Sequence, residues 1–439
     1  MVAKLPLNPR AEIFRWGPIP GRFFYASVFV EVNYKYFCQK YLGNNWSPTL
    51  FLFRNGRMIW INEYAGLRAS AKPVFLKYLL PVKIRKKGYA AWKKDTQILT
   101  RFEQVLSKTQ LRKVNNQQLL MLWEKFYKYY LDFWITGTVP ELGNYGADEL
   151  LIKELKKFIK DEKSLSEAVE VLTTPEKVSF YQEEEIDLSK TKNLSKHQQK
   201  YFWLKNSYFK TEILSVAFFA RRKKQLPKSL SRDILTKIKQ IKQNKLAVKN
   251  RYHLSEATLK MAGAISEAIA WQDERKKYIF IALHYQHLML KEIARRFEYN
   301  YHDLLNFWFW EIANILKGKD YHLESSRRRR GCGVFFYKNG CKNLSSAQVN
   351  EYWRIYGEER VSKASSAIKG LVVSRGAGGN IRGRVRLLLD PSKVATFKKG
   401  EILLAPMTSP EYIFVMRKAV AIITDAGGLT CHAAIVSRE

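Results

Sequence analysis

The sequence predicts an α+β protein: a mainly helical N-terminal two-thirds carrying small β-hairpins, followed by a partial α/β module. Three observations carry that expectation. Through residues 96–325 apolar side chains recur at three- and four-residue steps, the period of a helix with one buried face. Asn55-Gly56 and Asn339-Gly340 each separate two short apolar runs, the pattern of a β-hairpin closed by a type I′ turn. From residue 366 onward short apolar runs alternate with glycine turns and helix-length segments. At 439 residues the chain also exceeds the ~250 residues that one core usually serves. The expected divisions are 1–95, a small α+β region with a hairpin; 96–325, helical; 326–365, a hairpin, a helix and a linker; and 366–439, the α/β module.

In the first region "TLFLFRNGRMIWINE" supplies the hairpin, and the aromatic residues crowded around it, among them Phe14, Trp16, Trp46 and Trp60, read as core. In "NNQQLLMLWEKFYKYYLDFW" the residues Leu119, Leu122, Phe126, Tyr130 and Phe133 form one stripe along a helix. "ERKKYIFIALHYQHLMLKEIARRF" repeats that logic on a longer helix. Two stretches interrupt the pattern. "VPELGNYGADE", with Pro140, Gly143 and Gly146, is expected to be a loop, with ligand contact as its alternative role, and the glutamate run in "TTPEKVSFYQEEEID" is expected to be solvated. Cys332 to Tyr337 opens the second hairpin, after which Ser345 or Ser346 can cap a helix beginning near Ala347. In the module, strands are expected at 402–405 and 421–424 and a helix at 410–418. Gly376, Gly378, Gly379 and Gly383 fit a tight turn better than a dinucleotide loop, because Ile381 stands where GxGxxG needs its last glycine.

Charge is the unusual feature of the composition: 76 Lys and Arg against 40 Asp and Glu give a formal net charge of +36. Such a chain attracts polyanions, so salt-sensitive, non-specific adhesion to nucleic acid is one expectation. The lysines are scattered at helical spacing and only Arg327 to Arg330 form a dense run, which favours solvated helix faces over a nucleic-acid motif. Cys38, Cys332, Cys341 and Cys431 show no CxxC spacing, which fits a reducing, cytoplasmic setting. Cys332 and Cys341, expected to face each other across the second hairpin, lack two further ligands, and His284 and His287, one helical turn apart, are assigned to packing. No metal site is expected from either pair. His197, His253, His302 and His322 are isolated in the sequence. No apolar run reaches the ~18 residues of a membrane span, and no GxxxxGK[ST] phosphate loop occurs.

The chemistry concentrates in "GEILLAPMTSPEYIFVMRKAVAIITDAGGLTCHAAIVSRE", residues 400–439. A strand ending at Thr424-Asp425 feeds a Gly427-Gly428 turn, and Thr430 is a natural N-cap for a helix at His432. The free N–H groups and positive end of such a helix disfavour an imidazolium and favour an attached dianion. Neutral imidazole is the nucleophile that phosphoryl capture requires. Cys431 is either a rival nucleophile or a small packing residue.

This segment closely resembles the phosphohistidine swivelling domain of PEP-utilising enzymes, the group that includes phosphoenolpyruvate synthase, pyruvate phosphate dikinase and rifampicin phosphotransferase. The shared elements are "PMTSPE" at 406–411, Thr424-Asp425, Gly427-Gly428 and "TCHAAIVSRE". The resemblance implies that His432 is the phosphorylated histidine, that Thr430, Gly427 and Gly428 support the phosphoryl group, and that Mg²⁺ with ATP or PEP serves as donor. Family members usually continue past the histidine helix, so the module at Glu439 is expected to be incomplete at its C-terminus, and Ala426 replaces a commonly acidic residue. No ATP-grasp domain is recognisable in residues 1–365, so a separate ATP-grasp or PEP-binding chain is the expected partner, with a small-molecule acceptor. The helical stretch before the second hairpin more weakly resembles the segment that, in rifampicin-phosphotransferase-like proteins, holds the acceptor. The expected function is phosphotransfer through His432; the alternative is a non-catalytic ligand- or RNA-binding protein with a remnant phosphohistidine module.

Overall fold

Asn55 and Gly56 both take positive φ, 51° and 72°, as a type I′ turn requires. The chain reverses there between β2 (Thr49–Arg54) and β3 (Arg57–Glu63). In the computed structural model, which describes all residues except 1–5, 44–45, 338–339, 358–369, 371, 375, 377, 390–395, 409–411, 425–431 and 439, and only the backbone of 414, 432, 435 and 438, β1 (Ile13–Pro20) pairs antiparallel with β3. The second hairpin, β4 (Cys332–Tyr337) and β5 (Gly340–Leu344), pairs through β4 with β2. The two hairpins therefore share one five-stranded sheet of order β1-β3-β2-β4-β5. Phe51, Phe53, Met58 and Trp60 pack toward the helices, whereas Leu50, Leu52, Ile59 and Ile61 pack against Val349, Tyr352 and Tyr356 on the opposite face. Both faces are covered, which is why "TLFLF" reads as an unbroken apolar run.

The register corrects the cysteine expectation. Cys341 lies opposite Phe336, and Cys332 pairs with Phe53 of β2, because a turn that sets Tyr337 against Gly340 carries Cys332 beyond Leu344. Burial pushes both thiols up to about 12, which makes them packing groups. Ser345 caps the following helix, Ser346–Tyr352, in a capping box with Gln348.

The helix Asn116–Gly137 starts from a capping box between Asn115 and Gln118. Leu119, Phe126, Tyr130 and Phe133 are fully buried, joined by Trp123, while Leu122 is half-buried beside the stripe. The longer helix begins well before the expected stretch and runs from Glu256 to Arg296, 41 residues, or roughly 60 Å at 1.5 Å per residue. It forms the spine against which Val82–Lys108, Asn116–Gly137, Ala147–Leu155 and Glu162–Thr173 pack. Among the described residues no helix is long and apolar enough to cross a membrane.

Two sequence expectations fail in this region. "VPELGNYGADE" is not a loop: Val139–Gly143 and Ala147–Leu155 are helices, with Pro140 tolerated in the first turn of one and Gly146 at φ 79° preceding the other. At Gly143 a Cβ would lie 2.6 Å from Leu79 Cδ1, so a side chain there would push the end of Leu79 aside. The glutamate run is not solvated either. Glu184 and Glu185 are 0% and 2% exposed on the helix Phe180–Lys190, held by cations from distant parts of the chain.

His284 and His287 are packing residues as expected, the first edge-on to Phe202 at 4.7 Å and the second with Nδ1 2.6 Å from the Tyr301 hydroxyl. Burial lowers both to about 4, helped at His287 by Lys291 and His284. The unfolded chain takes these protons near the ordinary ~6.5, so stability is lost as pH falls from about 6.5 to about 4. For His284, 8% exposed, a shift of that size is worth about 3 kcal/mol. In urea titrations between pH 7 and pH 4, His284→Gln is expected to flatten the decline by that amount.

The module forms as expected at its centre. β6 (Val385–Leu387), β7 (Ile402–Ala405) and β8 (Ala421–Thr424) make a parallel sheet in that order. Leu403, Ala405, Tyr412 and Val415 build its own small core with Ala433. Gly376, Gly378 and Gly379 have positive φ, consistent with a turn.

Candidate functional site

β8 ends at Thr424 and the last helix, His432–Arg438, opens at the histidine, within two residues of Cys431 as its motif predicts. Gly427, Gly428, Thr430 and Cys431 lie outside the described residues, as does the His432 side chain. The next two residues are described and inform on the site: Ala433 and Ala434 are buried, 7% and 0% exposed. Ala433 belongs to the module's core and, with Met407 and Thr408, to the wall of a cavity of about 230 Å³. Consecutive Cα atoms are ~3.8 Å apart, so the backbone of His432 is one such step from a residue of that wall.

The opposite walls come from the sheet and the helical body. Phe14 and Trp16 of β1 and Trp60 of β3 bring aromatic rings, and Trp134, Tyr145 and Phe280 add more from the helices. Arg275, buried on the long helix, pairs with Glu141, donates to the Gly137 carbonyl and lies over the Trp134 ring at 5.0 Å. Arg68 pairs with Glu149 at 2.7 Å and stacks on Tyr64 at 4.2 Å. Asp148 accepts from the Glu149 N–H, and burial raises its carboxyl above the usual range. Asn144 is 4% exposed, and neither atom of its side-chain amide has a partner.

Much of this wall falls in the stretch for which ligand contact was the alternative role, and Glu141, Asn144, Tyr145 and Asp148 all line the cavity. Sequence reasoning missed Arg68 and Arg275. For Arg275 a signal existed: Trp271, Arg275 and Ile279 follow one another at four-residue steps on a buried face, an unusual place for a guanidinium.

The module is held against the sheet and the helical body by contacts that extend beyond the cavity wall. Met407 and Ile413 join the large core, Arg57 Nη2 donates to the Leu389 carbonyl at 2.5 Å, and Ser166 Oγ donates to the Val372 carbonyl at 3.1 Å. Arg417, from the turn after Ile413–Met416, pairs with Glu185. Glu185 also receives Arg222 at 2.8 Å, and Arg222 reaches Glu184 at 2.5 Å, which in turn meets His197 Nε2 at 3.0 Å. His197, isolated in sequence, is thus part of a buried charge network. Burial alone would push the Glu185 carboxyl up, but the bonds and charge of Arg417 and Arg222 outweigh it and leave it below its ordinary value.

Among the described residues no group of three or more His, Cys, Asp or Glu side chains is placed to hold a metal ion.

Comparison with known proteins decides the nature of the C-terminal segment. Residues 397–439 match the family model described as PEP-utilising enzyme, mobile domain. The segment belongs to that family. The mobile domain and its flank are 48% identical over 82 residues to a probable phosphoenolpyruvate synthase of Staphylothermus marinus, covering 18% of this chain and 10% of that protein. Identity is 47% over 81 residues to the phosphoenolpyruvate synthase of Pyrococcus furiosus, with the same shares, and 33% over 107 residues to that of Helicobacter pylori, covering 24% of this chain and 13% of the relative. The match thus spans about a tenth of the length of these relatives.

Proposed function

We propose that this chain is a phosphotransfer protein in which His432 carries a phosphoryl group from a donor site outside residues 1–439 to a small-molecule acceptor in the cavity beside Ala433. The observation that carries this reading is a conjunction. "GGLTCHAAIV" lies within the segment that matches the mobile domain, its helix opens at His432, and the adjacent residue lines a cavity shared with the helical body. The relatives named phosphoenolpyruvate synthase support a transferase. ATP or PEP with Mg²⁺ is the donor class, delivered by an ATP-grasp or PEP-binding partner, and Thr430 with Gly427 and Gly428 supports the phosphoryl oxygens on His432.

A phosphoryl group on imidazole nitrogen is a phosphoramidate, stable in alkali and labile in acid, unlike a serine or threonine ester. The test is incubation of the full chain and a candidate partner with labelled ATP or PEP. Protein-bound label that survives alkali and is lost in acid is the expected result. No label from either donor would favour the second reading, a ligand-binding protein with a remnant module, which the unpartnered Asn144 amide in the cavity also suits.

A further inference from the structure

The fold gathers part of the chain's excess positive charge into one groove. The dense run Arg327 to Arg330 is not that place, because half of it is neutralised within the fold: Arg328 pairs with Glu311 and Glu324, and Arg329 with Asp303. The groove, about 740 Å³, lies where the helices Phe180–Lys190, Val216–Gln225 and Leu230–Arg251 meet. Lys190, Lys223, Lys228, Arg232 and Lys239 line it, hydroxyls join them from Ser231 and Thr236, and none of its described lining residues is acidic.

Elsewhere on the helical body cations are matched, Arg85 with Glu267, Lys93 with Glu274 and Lys277 with Glu183. Lys190, Lys228, Arg232 and Lys239 form no ion pair with another described residue. Like charges lining one concavity repel each other and focus a positive potential there. The helix Leu230–Arg251 extends that potential, since it carries seven Lys and Arg against one carboxylate, Asp233. Its apolar residues Ile234, Ile238, Ile241 and Val248 are buried or half-buried. On the exposed side Arg232, Lys239 and Lys242 follow at seven- and three-residue steps, a stripe of ~15 Å at 1.5 Å per residue.

Chemistry decides among polyanions. Cations interspersed with hydroxyls are the donor set that phosphate oxygens accept from. Protein–protein interfaces are instead enriched in aromatic residues and methionine and depleted of lysine, and no aromatic or methionine is among the described lining residues. Helices that lie on membranes keep a broad apolar face outward; here that face is packed inward, and Leu235 and Leu246 are the exposed large apolar residues of the helix. Without rings on which bases could stack, contact falls on the backbone rather than the bases. We propose that this groove and the stripe beyond it bind the phosphodiester backbone of nucleic acid without regard to base sequence.

The test is fluorescence anisotropy of the full chain with short DNA duplexes of two unrelated sequences and an RNA duplex of one of them, across about 50–200 mM salt. The two DNA sequences are expected to bind alike, with log K falling against log salt at a slope of about −4 as four to five phosphates are neutralised. Arg232→Gln with Lys239→Gln should make the slope shallower by about two and lower affinity about tenfold. Arg327→Gln with Arg330→Gln removes the same charge from the dense run and should change affinity by less than about twofold. All four residues are exposed, so unfolding midpoints should not move, and Arg232→Lys with Lys239→Arg, which keeps the charge, should retain binding. Tighter binding of the RNA or of the DNA duplex names the source, and either supports the proposal. Equal losses from the two glutamine pairs would show that net charge alone attracts the duplex and would overturn it. So would no binding at the lowest salt, or tighter binding to anionic phospholipid vesicles or to polyglutamate.

Discussion

His432→Ala is expected to remove all acid-labile, alkali-stable phosphate from the protein, a loss to background rather than a reduction. Alanine has no nucleophile, and His432 is the one histidine in the segment that matches the mobile domain. The variant should fold normally, because it places the best helix former at the first position of the helix His432–Arg438. Thr430→Val should lower labelling less severely, since it deletes a supporting hydroxyl and leaves the nucleophile in place. Phosphopeptide mapping under alkaline conditions, with circular dichroism on each variant, measures both effects. Label that persists in His432→Ala would put the phosphoryl group elsewhere.

Arg222→Met is expected to be the most destabilising single change in the helical body, at about 3–5 kcal/mol. It leaves Glu184, fully buried, and Glu185, 2% exposed, side by side without the guanidinium that bridges them. His197 would remain for Glu184 and Arg417 for Glu185, but neither spans both carboxylates. Arg222→Lys should recover only part of the loss, because an ammonium is a point charge and cannot present two fork-like faces. Urea midpoints of the two variants against the parent decide it. A cost for Arg222→Met below about 1 kcal/mol, the range of exposed ion pairs, would show that the network is solvated.

What the sequence disclosed depended on whether the physical cause was local. Helical periodicity is local, so the stripe at Leu119, Phe126, Tyr130 and Phe133 was legible, as were the Asn55-Gly56 turn and β7 and β8 with their full extents. The opening of the last helix at His432 was legible for the same reason, because the residues that signal it are consecutive. The pairing of Thr49 with Phe336 was not, since strands joined across hundreds of residues leave no periodic trace in either. Glu184 and Glu185 were misassigned because their counter-ions, Arg222 and Arg417, are remote in sequence, and a carboxylate without a visible partner is read as exposed. The cavity combined both cases: its acidic, glycine-containing stretch drew attention, while the arginines opposite it did not.

Because β4 completes the sheet beside β2, the whole helical body is topologically an insertion between neighbouring strands. During synthesis β2 therefore emerges long before the strand that will cover its edge. At ~5–20 residues per second, the interval between Arg54 and Tyr337 is roughly 15–60 s. Throughout it, "TLFLF" presents unpaired backbone groups between two apolar faces, the combination that recruits foreign strands. The nascent chain thus passes through a long vulnerable stage that its finished form conceals, and chaperone demand or inclusion-body formation on overexpression should track β4, not the module that follows it.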